Sequence, residues 1–404
     1  MSSQPDPIRP GPSRRACPHT DVDLWADDIL IDPYDTYSAL RELAPILWMP
    51  RHEAYVVTRY DEVRTVLQDW RTFTSAEGVG MTPAMNAKHG GILTTDPPQH
   101  DSLRGVLNTQ LVAGRLTPHH DFLVAEAERL VTALVERGSF EVVAELARPY
   151  SVKVVADLVG FPEEGRDTFI EWADAAFNTF GPDDGHMGQH VEGLRGLLGY
   201  CASVATRDRL APGGWGQQIL DAGDRGDIAP DDCMGLLLAY AWAGMDTTVN
   251  AISAAVKLFS EHPDQWTTLS ADRSLMGSAI NEVIRIEPPV HRFTRAATVS
   301  TELAGVAIPA GARVAVLFGA ANRDPRRFVD PDRFDITRNP TTHLSFGRGV
   351  HRCVGATLAQ QEITAVLDAL LEQVDKIETT DYLWRRNKAL HGLERLHVSV
   401  HSKM

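Results

Sequence analysis

The sequence predicts a mainly α-helical enzyme with small β-sheets, and three observations support this fold class. Apolar residues recur at helical spacing from Thr117 to about Glu261, with breaks at Gly138, 161–165 and 180–185. Short apolar strands cluster instead of alternating with helices, which argues against a doubly wound parallel sheet. At 404 residues the chain exceeds the size that one core usually serves, so more than one layer or subdomain is expected.

The strands and the remaining helices are predicted from local composition. Residues 46–58 predict two short strands joined by a turn near Pro50–Glu53. The elements expected after them are a helix over Tyr60–Gln68, a strand-rich segment over Arg295–Phe318, a turn-rich stretch over Asn322–Arg348, a helix near Val354–Val374, and short strands to the end.

Composition excludes several classes of function. Lys and Arg number 39 against 54 Asp and Glu, a net charge of −15 that disfavours nucleic acid as a partner. No apolar run is long enough to span a membrane. Residues 1–25 contain prolines where a signal peptide would need an apolar core. They are predicted to be a disordered lead-in to one catalytic domain, 26–404, in the cytoplasm. The four cysteines are too few and too scattered for a disulfide framework.

The segment Asp231–Leu258 is apolar nearly all round and predicts one buried helix of about 40 Å through the centre of the molecule. Gly244 and Asp246 lie at its middle, where glycine lowers helix stability and a buried carboxylate is costly unless it is used. A structural kink held by hydrogen bonds is the alternative interpretation.

Residues 346–355, FGRGVHRCVG, surround Cys353 with features that a metal-bound thiolate needs. Gly347 and Gly349 permit a tight turn whose amides can face the sulfur, and Gly355 lets the next helix approach a flat cofactor. Arg348, His351 and Arg352 add positive charge. A buried structural cysteine is the alternative, whereas zinc would require further ligands at short spacing.

Phe346, Gly347, Gly349, His351, Cys353 and Gly355 together resemble the haem-binding signature of the cytochrome P-450 family. The resemblance extends over roughly residues 30–400. It implies the cytochrome P-450 fold, haem b as the cofactor, and Cys353 as the axial ligand to the iron.

Other motifs follow in the family's order. Glu282-x-x-Arg285 resembles its buried helical pair, whose network Arg333 would complete. His100-x-x-x-Arg104, Arg295 and His351 match the positions that bind the haem propionates.

Ala243-Gly244-x-Asp246-Thr247 resembles the family's oxygen-binding groove. The resemblance implies that Thr247 hydrogen-bonds dioxygen and that Asp246 connects to a proton relay. This pair favours a monooxygenase that receives electrons from a separate ferredoxin and its NAD(P)H-dependent reductase, with Arg348 and Arg352 as candidate docking residues. The alternatives are a peroxide-driven peroxygenase, an isomerase or dehydratase, and a non-catalytic haem sensor.

Within the family, the chain looks most like bacterial members that oxidise or demethylate para-substituted aromatic acids. Their carboxylate anchor has no clear counterpart here, since only Lys88 and His89 are candidate cations in the corresponding loop, so a neutral or phenolic aromatic is equally expected. A larger terpenoid, steroid or macrolide is the alternative substrate. The residues expected to line the substrate pocket are Phe177, Phe180, Leu238, Ala239, Trp242, Ala243, Val290 and Phe293.

Overall fold

The computed structural model describes residues 17–86 and 91–403. The helices are α1 Asp27–Ile31, α2 Tyr34–Leu43, α3 Tyr60–Gln68, α4 Pro83–Asn86, α5 Gln99–Leu111, α6 Ala113–Leu116, α7 His120–Val135, α8 Arg148–Val159, α9 Phe169–Asn178, α10 Met187–Val204, α11 Trp215–Asp224, α12 Pro230–Ala243, α13 Asp246–Glu261, α14 Pro263–Ala271, α15 Met276–Ile286, α16 Phe318–Asn322 and α17 Ala356–Gln373. The strands are β1 Ile46–Met49, β2 Ala54–Val57, β3 Phe73–Thr74, β4 Ser139–Glu141, β5 Arg292–Ala297, β6 Thr301–Leu303, β7 Val306–Ile308, β8 Arg313–Leu317, β9 Val374–Trp384 and β10 Leu393–Ser402.

The strands form three small sheets beside a large helical core, so the predicted mainly α architecture is confirmed. The largest sheet has the order β1-β2-β8-β5-β3, in which only β2 and β8 run parallel. The others have the orders β4-β10-β9 and β6-β7. Among the described residues, none of the helices combines the length and the apolar character that a bilayer span requires.

The C-terminal strands are longer than expected. β9 and β10 form an antiparallel hairpin of 11 and 10 residues, and β4, which the sequence did not predict, pairs with β10. The loop that joins the two strands, 385–392, lies against the centre of the molecule, where its residues contact α9 and α13.

The prediction of a disordered lead-in is wrong for residues 17–25. The backbone pairs with β1 through Pro18 and Thr20, and Leu24 and Trp25 are buried. The Trp25 indole nitrogen also donates to the Lys388 carbonyl at 3.1 Å. Apolar side chains at the end of the proline-rich segment therefore attach it to the domain, while residues 1–16 lie outside the described part of the chain.

The central helix is interrupted, so the prediction of one continuous helix is also wrong. α12 ends at Ala243 and α13 begins at Asp246. The Thr247 hydroxyl donates to the Ala243 carbonyl at 2.8 Å, and side-chain bonds of this kind bend helices. A Cβ at Gly244 would lie 2.8 Å from the Tyr240 carbonyl oxygen, so the interruption has room for glycine alone.

A buried ionic network supports the approach to the cysteine loop. Arg285 and Glu282 are fully buried and form two hydrogen bonds of 2.7 and 2.8 Å. Arg285 also donates to the Asn322 carbonyl, and the Asn322 side chain binds the backbone of Leu344 and the hydroxyl of Ser345. The residues just before the loop are therefore fixed by α15.

Arg333 joins this network through its backbone carbonyl, which accepts from Arg285 at 3.4 Å, but its side chain does not complete it. Its side chain is 65% exposed and lies 3.6 Å from Asp335, whereas the Nε of Arg338 donates to Glu282 at 3.1 Å. The neighbouring Phe334 is buried, and the backbone therefore directs Arg333 outward.

Candidate functional site

An internal cavity of about 260 Å³ lies between the cysteine loop and the two central helices. Residues 345–355 and the start of α17 form one wall, and α12 with α13 forms the facing wall. α5 and β5 contribute the sides. Two facing walls that are mostly apolar, with charged residues at one edge, suit a flat ligand that carries charge at its rim.

The local backbone places Cys353 at the floor of this cavity. Gly347 and Gly349 have φ values of 67° and 69°, in the region that favours glycine. A Cβ at Gly349 would lie 2.7 Å from the Leu67 carbonyl oxygen, so only glycine lets the loop pass this close to α3. Gly349 itself does not line the cavity. The Cys353 amide then donates to the Phe346 carbonyl at 2.8 Å, which closes the loop around the sulfur.

The environment of the Cys353 sulfur is suited to a metal-bound thiolate. The side chain is exposed to the internal cavity, and protein surrounds its other sides. Burial raises the pKa of the thiol, while the Gly355 amide, Arg104, Arg352 and then the Ala356 amide act to lower it. A metal cation bound to the sulfur would stabilise the thiolate further, so that Cys353 loses its proton.

Cys353 would have to bind a metal without other protein ligands near it. Within 17–86 and 91–403, no group of three or more His, Cys, Asp or Glu side chains could hold a metal ion. The other ligands would therefore come from a prosthetic group, as in a porphyrin.

Two side chains at the edge of the cavity lack partners that their chemistry requires. Arg295 is 4% exposed and donates to the Thr294 carbonyl at 2.8 Å, but no described carboxylate forms an ion pair with it. Burial lowers the pKa of Arg295 to about 10, so the guanidinium remains charged at neutral pH. His100 is fully buried, and its Nε2 has no described hydrogen-bond partner.

The other two predicted propionate ligands lie at the same edge. The rings of His100 and His351 are 4.6 Å apart, and His351 Nε2 lies 3.0 Å from Asp96. Arg104 donates to the Val350 and Arg352 carbonyls. All four side chains line the cavity, and an unpaired buried cation and an orphaned imidazole nitrogen fit a ligand with carboxylates there. The site therefore fits haem.

The predicted acid lies behind the opposite wall. Asp246 is fully buried and does not line the cavity, although Gly244, Thr247 and Thr248 do. Both of its carboxylate oxygens accept a hydrogen bond from Arg385 Nη2 at 3.0 Å. Burial raises the pKa of Asp246, and the charge of Arg385 opposes that shift.

Arg385 and Asp174 are site residues that the sequence did not reveal. Arg385 lies in the β9–β10 loop, and its Nε is 3.3 Å from Asp174, whose side chain is 30% exposed on α9. The charged chain Asp246–Arg385–Asp174 thus connects the centre of the molecule with solvent. These residues are far apart in the sequence, and no local motif indicates that they meet.

Glu362 is a second buried acid that the sequence analysis missed. It lines the cavity from α17 with 1% exposure, and its Oε2 lies 3.5 Å from the Thr248 hydroxyl. Its Oε1 has no described partner. Burial raises the pKa of Glu362 well above the usual value, and the hydrogen bond from Thr248 opposes that shift.

Aromatic and small apolar side chains form the wall near Thr247. The predicted pocket residues that line the cavity are Phe177, Ala239, Trp242, Ala243, Val290 and Phe293. The rings of Phe177 and Trp242 are 4.8 Å apart, and Ile92 and Leu93 add an apolar contribution that the sequence analysis did not predict.

Two predicted pocket residues do not line the cavity. Leu238 on α12 packs against the helical core and does not line the cavity, although Trp242, one turn later, does. Phe180 follows the end of α9 and packs behind the wall against Trp242 and Phe293. Lys88 and His89 lie outside the described residues.

Comparison with known proteins agrees with this geometry. A family model described as Cytochrome P450 matches residues 220–376. Cytochrome p450 CYP199A2 of Rhodopseudomonas palustris is 39% identical, over 95% of this chain and 94% of the relative. The 6-deoxyerythronolide B hydroxylase of Saccharopolyspora erythraea is 31% identical, over 94% and 98%. The crystal structure of CYP109E1 from Bacillus megaterium in complex with testosterone superposes with a TM-score of 0.85 at 25% identity, over 93% and 99%.

Replacing Arg385 by Met is expected to destabilise the fold by about 3 kcal/mol, because it leaves the buried Asp246 carboxylate unpaired. The raised pKa of Asp246 sets the sign of the pH dependence. A proton bound to the folded form stabilises it, so the loss should be smaller near pH 5 and grow as the pH rises. Urea unfolding of the purified variant measures both effects.

Two further variants serve as controls. Arg385→Met combined with Asp246→Asn should recover part of the lost stability and its pH dependence, because no buried charge remains. Arg386→Met, in the next residue, removes a side chain that is 62% exposed and should have little effect. Equal destabilisation by the single and double variants would contradict the pairing.

Proposed function

Since the chain belongs to the cytochrome P450 family, whose members are haem b monooxygenases, we propose that it inserts one atom of dioxygen into a small aromatic substrate. The reaction would be a hydroxylation or an O-demethylation, with electrons supplied by a separate ferredoxin and its NAD(P)H-dependent reductase. The observation that carries the substrate class is the aromatic wall of the cavity close to Thr247.

The residues that would hold the cofactor are those at the floor and edge of the cavity. Cys353 would bind the iron, and His100, Arg104, Arg295 and His351 would bind the two propionates. When bound, haem supplies an iron that accepts two electrons and activates dioxygen, so that one oxygen atom enters the substrate and the other leaves as water.

Proton supply is the task of the opposite wall. Asp174, which reaches solvent, would pass protons through water and the carboxylate of Asp246, whose position Arg385 fixes. Thr247 would fix the last water of the path, which delivers the proton to the reacting oxygen. Its hydroxyl proton is donated to the Ala243 carbonyl, which leaves its oxygen lone pairs able to accept a hydrogen bond in the cavity.

This proton path supports use of dioxygen in preference to peroxide. Two protons must arrive from solvent for each dioxygen that is cleaved, whereas a peroxide-driven enzyme receives its oxygen already reduced. A buried acid and arginine that reach toward solvent would have no task in the peroxygenase alternative.

A separate electron-transfer partner would dock on the outer side of the cysteine loop. The two candidate docking residues, Arg348 and Arg352, also line the cavity, and Arg352 acts to lower the pKa of Cys353. Both observations support a role for these arginines beside the cofactor. Because the whole chain has a net charge of −15, it would need a local basic surface to bind an acidic ferredoxin.

A small aromatic substrate fits the distal wall better than the larger alternatives. Rings at Phe177, Trp242 and Phe293 offer flat apolar contacts, and Ala239 and Ala243 leave room beside them. The hydroxylase of 6-deoxyerythronolide B at 31% identity keeps the macrolide class as the second candidate.

Replacing Cys353 by Ser is expected to abolish the thiolate-type spectrum of the reduced protein with carbon monoxide, because the hydroxyl is not a thiolate donor. Cys17→Ser, which alters a cysteine outside the cavity, should leave the spectrum unchanged. Retention of the thiolate-type spectrum by Cys353→Ser would overturn the ligand assignment.

Replacing Thr247 by Ala is expected to lower the product formed per dioxygen consumed by about tenfold, because the water that delivers the proton loses the hydroxyl that fixes it. Thr247→Ser, which keeps the hydroxyl, should retain most of the coupling. Parallel measurement of NADH, dioxygen and product in a ferredoxin-reductase assay makes the comparison, and unchanged coupling in Thr247→Ala would contradict the relay.

Spectral titration of the haem-loaded protein tests the substrate class. Para-substituted single-ring aromatics are expected to bind at least about tenfold more tightly than steroids or macrolides, because the distal wall contacts a flat ring. Tight binding of bulky aliphatic molecules alone would contradict the aromatic proposal and leave the monooxygenase assignment intact.

A further inference from the structure

We propose that Trp242 determines substrate specificity by donating a hydrogen bond from its indole N–H to an oxygen acceptor on a neutral aromatic substrate. The inference rests on the proposed function and narrows it. Its substrate class is a single aromatic ring that carries an uncharged ether, phenol or carbonyl oxygen.

The orientation of the indole is fixed by neighbouring rings. Trp242 packs against Phe177 at 4.8 Å with an interplanar angle of 34°, and against Phe180 at 5.5 Å. Phe180 in turn contacts Phe293 edge-on at 5.6 Å. Phe177 is 2% exposed, so this stack is anchored in the core. A side chain held in this way presents its nitrogen at one place and loses little entropy when a ligand binds.

The indole nitrogen of Trp242 has no hydrogen-bond partner among the residues that the structure describes. This nitrogen is not fully buried, and Trp242 lines the cavity. Trp25 shows the usual arrangement, in which the indole N–H donates to a carbonyl. A tryptophan whose N–H is left free beside a cavity is equipped to bind an acceptor there.

The other polar groups on this wall are already committed. The Tyr240 hydroxyl donates to Gln110 at 2.7 Å, and the hydroxyls of Thr247 and Thr248 donate to the backbone of α12 and the residue after it. In the described part of α12 and α13 that lines the cavity, Trp242 thus holds the donor that remains available to a ligand.

The charges around the cavity select against an ionised substrate. The described cavity-lining residues with basic side chains are His100, Arg104, Arg295, Arg348, His351 and Arg352. All of them lie at the edge or in the loop assigned to the cofactor. The distal wall at Ala239, Trp242, Ala243 and Phe293 carries no charge, so a carboxylate placed there would be desolvated without a counter-ion from residues 17–86 and 91–403.

Trp242 and Thr247 line the same cavity, from the last turn of α12 and the first turn of α13. A ligand bound at the indole would therefore lie in the cavity that the oxygen groove opens into.

The test compares two ligands of the same shape in the haem-loaded full chain. 4-Methylbenzaldehyde carries a carbonyl acceptor, and 4-methylstyrene has a vinyl group in its place and no oxygen atom. Trp242→Phe keeps an aromatic ring and removes the donor. It is expected to weaken binding of the aldehyde about tenfold, because the carbonyl is then buried without a partner, and to change binding of the styrene less than about twofold.

Trp266→Phe is the matched control. Its indole nitrogen also lacks a described partner, but the residue is buried on α14 away from the cavity, so both ligands should bind it as they bind the parent protein. Equal losses for the two ligands in Trp242→Phe, or no loss for either, would overturn the proposal. Tighter binding of 4-methylbenzoate than of 4-methylbenzaldehyde by the parent protein would overturn it as well, without any variant.

The spectrum and the ligand comparison separate the proposed function from the role of Trp242. If the parent protein gave no thiolate-type carbon monoxide spectrum, the proposed function would fail. If it gave that spectrum and converted aromatic ethers but did not distinguish the aldehyde from the styrene through Trp242, only this inference would fail.

Discussion

A thiolate inside a protein is stable only where the fold supplies positive potential around it, and this constraint organises the molecule around Cys353. Amides at the start of α17 and the guanidinium groups of Arg104 and Arg352 oppose the effect of burial on the pKa of the thiol. The loop can bring its amides to the sulfur because Gly347 and Gly349 turn it, and the network of Glu282, Arg285 and Asn322 fixes the residues that lead into it.

Behind the opposite wall of the cavity, a buried negative charge is stabilised by an ion pair. Asp246 is a fully buried acid whose charge is balanced by Arg385, a residue from the C-terminal hairpin. The same loop binds α9 through Asn387 and Asp174, so the acid and the aromatic residues at the end of α9 are positioned by one segment. Proton supply and substrate recognition are thereby built on adjacent parts of one wall.

The cysteine site could be predicted from the sequence because its ligand, its turning glycines and its nearby cations lie within ten consecutive residues. Arg385 could not be predicted, because its pairing with Asp246 spans 139 positions and depends on tertiary packing. Arg338 was missed because the burial of Phe334, which turns Arg333 outward, is visible only in the folded chain.

The most direct test of the central claim is the iron X-ray absorption spectrum of the haem-loaded protein. We expect four nitrogen neighbours from the porphyrin and one sulfur neighbour from the protein. An iron surrounded by nitrogen and oxygen alone would contradict the thiolate assignment and every role that follows from it.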